Sequence, residues 1–217
     1  MTALRHTLVS DGASDANLIP IIDWSLREVG DVQLSQGTRA EFWRLPRKPS
    51  GLVERLVCAV DLSPCDVLFI HRDAEREMPA TRSREIRNAV ETAVERGVKL
   101  PAVAVIPVRM LEAWLLFDER AIRQAAGNPN GDTALNLPQQ KRVESRPNPK
   151  RDLTDALLTA SELSGRRRKK FDTAAAFWRI VDYIEDFSPL RELSAFQSFE
   201  NSILTLKANN WKPGFYG

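Results

Sequence analysis

Cysteine is nearly absent from the 217 residues. Cys58 and Cys65 alone are too few for a disulfide framework or a cysteine-rich zinc site. Histidine is as scarce, and His6 and His71 give zinc hydrolysis or serine–histidine catalysis little to draw on. No run approaches the roughly 18 apolar residues of a membrane span. The opening MTALRHTLVSDG lacks the apolar stretch of a signal peptide. A cytoplasmic protein without membrane association is therefore expected. Gly-rich phosphate loops of the Walker or Rossmann pattern are missing, as are internal repeats and low-complexity tracts. Overall charge is small too: 31 basic and 29 acidic residues give a net +2. With 43% hydrophobic residues the chain has the composition of a globular protein with one substantial core, not of a disordered one.

What is present is unevenly spread. Residues 139–170 hold ten Lys/Arg against four Asp/Glu, so the surplus positive charge lies almost wholly there. Arg outnumbers Lys by 23 to 8, and the forked guanidinium suits a phosphate-bearing partner. Arg166, Arg167, Arg168, Lys169 and Lys170 are consecutive, with Lys150 and Arg151 upstream. Such a run neutralises nucleic-acid phosphates in a sequence-tolerant way. A solvated loop between two helices, or an acidic protein partner, would explain it as well. No aromatic is interleaved, so the run itself does not indicate base stacking.

The first 126 residues alternate strand and helix. LRHTLVS (4–10) reads as a strand, followed by the turn Asp11-Gly12-Ala13. Ser14 or Asp15 then caps a helix through LIPIIDWSLREV. A short strand is expected over 32–35. Leu52, Val53, Leu56, Val57 and Val60 mark a helix, and DVLFI (66–70) is an apolar strand of the buried parallel kind. A helix over 84–96, a strand over 102–106 and a helix over MLEAWLLFDERAIRQAA follow. This alternation predicts βαβ units: an α/β fold with a mainly parallel sheet flanked by helices. Residues 127–151 read as a Pro/Asn-rich connection. Residues 152–217 read as a helical C-terminal appendage packed on the first domain, with helical patterns at 152–163, 170–186 and 196–209. Trp24, Trp114 and Trp178 fall in helical patterns and are expected in the core. The tail NNWKPGFYG either folds back on the body or docks into a partner.

Ligands of open α/β sheets bind outside the carboxyl ends of the strands. Those ends here carry Asp11 and Asp15, then His71, Asp73 and Glu75, then Arg109 and Glu112. Carboxylates from three strand ends are the hard oxygen ligands that Mg²⁺ or Mn²⁺ takes, and such ions work on phosphodiesters. Each residue also has a plainer role: Asp11 in a turn, Asp15 as a cap, Asp73 and Glu75 in a solvated loop, Glu112 on a helix dipole. His71 is a ligand, a base or a packed residue.

This pattern resembles the Toprim fold of topoisomerases, primases and several nucleases, with an acid after the first strand and a DxD motif after a later one. More closely, the chain resembles a Toprim-like family of small bacterial proteins often encoded beside AAA- or ABC-type ATPases, some in anti-phage defence. The segments LVSDGASDANL, DVLFIHRDAE, VIPVRMLEAWLLFDERAI, NPKRDL, GRRRKKF and SPLRELSAFQSFE carry the resemblance in order over almost the whole chain. Asp11 stands where the family usually has glutamate. The DxD position reads as His71-x-Asp73 or as Asp73-x-Glu75. The resemblance implies a Mg²⁺-dependent nuclease acting on DNA or RNA with an ATPase partner. Asp11 and Asp15 would act in catalysis; Asp73, Glu75, Glu112 and His71 would hold the metal. Arg109, Lys150, Arg151 and the 166–170 run would hold nucleic acid. The non-enzymatic alternative is an inactive relative that docks nucleic acid or the ATPase. Homo-oligomerisation is compatible with either.

Overall fold

The computed structural model describes residues 3–217, so Met1 and Thr2 of the expected 1–126 domain lie outside the described residues. Five strands form one all-parallel sheet: β1 (Leu4–Val9), β2 (Ser35–Arg39), β3 (Val67–His71), β4 (Pro101–Val105) and β5 (Gly214–Tyr216). Their order is β2-β1-β3-β4-β5. The chain leaves β1 to one side to make β2 and returns on the other side as β3. The switch point, where such sheets bind ligands, therefore lies between β1 and β3. Their register pairs Val9 with Ile70, and that of β3 with β4 pairs His71 with Val105.

Both sheet faces are covered, which is why VLFIH and PAVAV are buried at every position. On one face Val9, Leu68, Ile70, Ala102 and Ala104 pack with α2 (Gly51–Leu62) and α3 (Pro79–Glu95). On the other, Leu8, Phe69, Val103 and Val105 pack with α1 (Leu18–Glu28) and most of the C-terminal helices. Those helices are α4 (Glu119–Ala125), α5 (Pro149–Ala160), α6 (Gly165–Lys169), α7 (Thr173–Ile180) and α8 (Ser194–Ala208). Trp114, Phe196, Phe199 and Phe69 form the aromatic centre of that face. Trp114 meets Phe196 edge-on at 5.3 Å, and Phe199 meets Phe69 at 6.1 Å. No helix among the described residues is long and apolar enough to cross a membrane.

Several local expectations are corrected. The second strand is Ser35–Arg39, not 32–35, because its SQGTR sequence offers no apolar run. MLEAWLLFDERAIRQAA is not one helix. It is a 3₁₀ turn (Leu111–Leu115) and then α4, which Asp118 starts by accepting from the Ala121 backbone N–H at 2.9 Å. Neither Ser14 nor Asp15 caps α1. Both lie in a 3₁₀ turn (Ala13–Asn17) that precedes it, and Asn17 occupies the cap position. The 166–170 run is not a loop, since its first four residues belong to α6. The tail folds back as β5, a strand that its glycines and proline concealed, and adds to the sheet beside β4.

Candidate functional site

Backbone hydrogen bonds fasten the β3 and β4 loops together at the carboxyl edge of the sheet. Arg72 N–H donates to the Val105 carbonyl at 3.2 Å, Ala74 N–H to Pro107 at 3.1 Å, and Glu75 N–H to Arg109 at 2.8 Å. The last pair has two non-glycine residues in the left-handed region, Glu75 at φ 53° and Arg109 at φ 68°. Such conformations persist where the surroundings over-determine them, and they cluster at functional sites.

This fastening sets Asp73 against the start of the 3₁₀ turn after β4, where its Oδ1 accepts from the Leu111 N–H at 2.9 Å. Leu111, Ala113, Trp114 and Leu115 are buried and anchor that turn, while Glu112 faces the edge. From the β1 side comes Asp15, whose Oδ2 accepts from the Gly12 N–H at 2.8 Å. Burial, followed by the charges of Glu112 and Asp15, pushes the Asp73 carboxyl up to about 7. Burial also raises Glu112, against the pull of Lys150, whose Nζ lies 3.9 Å from Glu112 Oε1. Asp73, Glu112 and Asp15 thus make one electrostatic unit from three strand ends, with too much negative charge for its solvation.

His71 is the buried last residue of β3. Burial holds its ring below the ordinary histidine value, against the charge of Asp15. Neutral, with Nδ1 donating to the Val105 carbonyl at 3.0 Å, it directs the Nε2 lone pair towards Asp73 Oδ1 at 3.5 Å.

The remaining sequence-derived acids are placed differently. Asp11 is ion-paired with both Arg55 and Arg72. Desolvation works against its charge, but these two guanidiniums hold the carboxyl below its usual range. Arg72 continues to Glu85 at 2.9 Å, and Arg82 joins Glu85 at 3.0 Å to Glu75 at 3.3 Å. Asp11 and Glu75 are therefore at opposite ends of a salt-bridge network beside the carboxylate unit, and Glu75 turns outward to Arg82. The expected roles of Asp11 as free acid or base and of Glu75 as metal ligand do not match these contacts. Among the described residues no three His, Cys, Asp or Glu side chains converge closely enough to form a ready-made metal cage.

Of the cations, Lys150 is brought to the site and Arg109 lies in the fastened loop. Arg151 pairs within α5 to Asp155 at 3.7 Å. Arg166, Arg167, Lys169 and Lys170 are exposed and have no ion-pair partner among the described residues; Arg168 donates to the Leu158 carbonyl at 2.8 Å. Three residues after this run, Thr173 begins α7 and lines a cavity together with Glu112 and Lys150.

Sequence reasoning missed Arg55, Arg72, Arg82 and Glu85. One signal for them existed. Arg72 directly follows β3, and a helix that follows a parallel strand starts at the carboxyl edge, so Arg55 of α2 and Arg82 and Glu85 of α3 lie near the same crevice. No protein-family model, curated protein or solved structure matches the chain, and its functional reading rests on this geometry.

Proposed function

We propose that the protein is a Mg²⁺- or Mn²⁺-dependent nucleic-acid phosphodiesterase working at the Asp73–Glu112–Asp15 unit. The observation that carries this reading is the placement of Asp73 at the switch-point edge, where the fastened β3 and β4 loops seat its carboxylate on the Leu111 N–H and burial beside Glu112 pushes it up to about 7. Asp73, partly buried beside Glu112, retains a proton near neutrality, and a divalent cation can take that proton's place. The donor set fits Mg²⁺, which commonly uses one or two carboxylates with waters and substrate phosphates rather than an all-protein cage. Asp73 with Glu112 would hold it. A bound cation would supply Lewis-acid polarisation of a phosphoryl oxygen. Asp15 would orient the attacking water by hydrogen bonding, Lys150 and Arg109 would hold the scissile phosphate, and the 166–170 run would hold the flanking backbone. Asp11 acts by fixing Arg55 and Arg72.

An ATPase partner and a role in phage defence are what the Toprim-like resemblance alone would imply, and a cytoplasmic location is the expectation from composition. A second reading, a binding subunit without catalysis, is favoured by the pairing of Asp11 with two arginines and the absence of a ready-made cage among the described residues. Plasmid, single-stranded DNA and tRNA incubated with Mg²⁺ or Mn²⁺, with and without an AAA- or ABC-type ATPase, separate the two. Cleavage lost in Asp73→Ala supports the enzyme. Cleavage that survives this substitution removes the proposed site, and binding without cleavage supports the second reading.

A further inference from the structure

Two cavities flank the 3₁₀ turn that carries Asp15, one of them lined by Glu112, and one side chain walls both. The smaller, about 180 Å³, is lined by Ser14, Glu112, Lys150, Leu153, Phe177 and Trp178, among others. The larger, about 530 Å³, has Ala13, Ala16, Thr38, Arg39, Arg44 and Trp178 in its lining. Each abuts the 3₁₀ turn that carries Asp15: Ser14 faces one, Ala13 and Ala16 the other. Trp178 therefore stands between the two cavities, on the wall of the one that Glu112 and Lys150 line.

Its environment is unlike that of a core tryptophan. Trp114 is fully buried and packs on two phenylalanines, whereas Trp178 is 40% exposed and pairs with no other ring among the described residues. Cations flank it on both sides. Lys150 is in the smaller cavity; Arg39, which meets no carboxylate among the described residues, is in the larger. Arg44 also lines the larger cavity, divided between Glu41 and the face of Trp43 at 5.5 Å, and Trp43 is itself 73% exposed. An exposed indole between Lys150, held only loosely by Glu112 at 3.9 Å, and Arg39, unpaired among the described residues, suits a flexible polyanion whose bases have free faces. A duplex keeps those faces inside its own stack.

We propose that Trp178 is a stacking platform for an unpaired base, which makes single-stranded nucleic acid, DNA or RNA, the substrate class of the adjacent site. The placement of that base beside a reacting phosphate rests on the phosphodiesterase reading; the stacking itself does not. Anisotropy titrations of the full chain in EDTA, with labelled oligo(dT), oligo(rU) and a duplex of about 12 nucleotides, match the site sizes of single-strand binders. Both single strands are expected to bind more tightly than the duplex. Trp178→Ala is expected to weaken them by about 5- to 150-fold, the range for one stacked base, without changing duplex binding. Trp178→Phe keeps a ring and is expected to retain most of the affinity while losing the oligonucleotide-dependent quenching of indole fluorescence. Because the side chain is exposed, unchanged circular dichroism is the folding control for both variants.

Equal single-strand and duplex affinities, or single-strand binding indifferent to Trp178→Ala, would overturn the proposal. A preference for only one of the two single strands keeps it and narrows the class of substrate. Binding that needs Trp178 in a protein that never cleaves preserves the platform and refutes the phosphodiesterase. Cleavage indifferent to Trp178→Ala does the reverse.

Discussion

Replacing Asp73 by Asn should stabilise the protein, with a gain that grows as pH rises above about 4 and is complete above about 7. The Asp73 carboxyl holds its proton up to about 7, against an ordinary value of 3.8. Between those values the folded state keeps a proton that the unfolded chain has lost. Stability therefore falls as pH rises through this window, and the full penalty applies above about 7. The difference, at about 1.4 kcal/mol per pH unit, corresponds to about 4 kcal/mol. The Asp73 side chain is 34% exposed, so solvent screening reduces this to about 2 kcal/mol. Asn carries no charge at any pH, and its Oδ1 can still accept from the Leu111 N–H. Thermal melting in EDTA at about pH 4.5 and about pH 8.5 measures the effect. For a chain of this size about 2 kcal/mol is a gain of about 4–8 °C in Tm at the higher pH, with little gain at the lower. Equal Tm values for the two proteins at alkaline pH would refute the argument, because the burial of Asp73 and its crowding by Glu112 and Asp15 would then have no energetic consequence.

Two further perturbations probe the surroundings. Arg72→Ala frees Asp11 and Glu85 and should cost about 1–2 kcal/mol at neutral pH, a modest value because these ion pairs are partly exposed. The Asp11 share of that contribution exists above 3.8 and disappears as pH falls through its lowered folded value, so urea melts of wild type and variant should converge in acid. Charge reversal of Arg166 and Arg167 should leave Tm unchanged, since both are exposed and unpaired among the described residues. It should also weaken nucleic-acid binding and flatten its dependence on salt concentration, by about one unit of slope per lost phosphate contact.

The sheet was legible because buried parallel strands need unbroken apolar runs, and DVLFI and AVAVI supply them. Ser35–Arg39 and Gly214–Tyr216 are edge strands held mainly by backbone pairing, so their side chains carry little signal. The three strand ends that deliver Asp15, Asp73 and Glu112 followed from the same alternation. What the alternation could not resolve was which acids meet cations. Asp11 and Glu75 look in sequence like Asp15 and Asp73, but Arg55 and Arg82 come from helices whose facing depends on tertiary packing. Trp178 illustrates the same limit. It sits in a helical pattern beside Phe177 and Ile180, yet α7 buries Ala176 and Ile180 and leaves the indole in solvent.

The central claim is that Asp73 and Glu112, with Asp15 beside them, hold a divalent cation in place of a proton. Calorimetric titration of Mg²⁺ near the Asp73 value of about 7, repeated in two buffers of different ionisation enthalpy, tests both parts at once. The account predicts binding to the wild type with release of a fraction of a proton, and the loss of both binding and proton release in Asp73→Asn. Binding without proton release, or equal affinity in the variant, would contradict it.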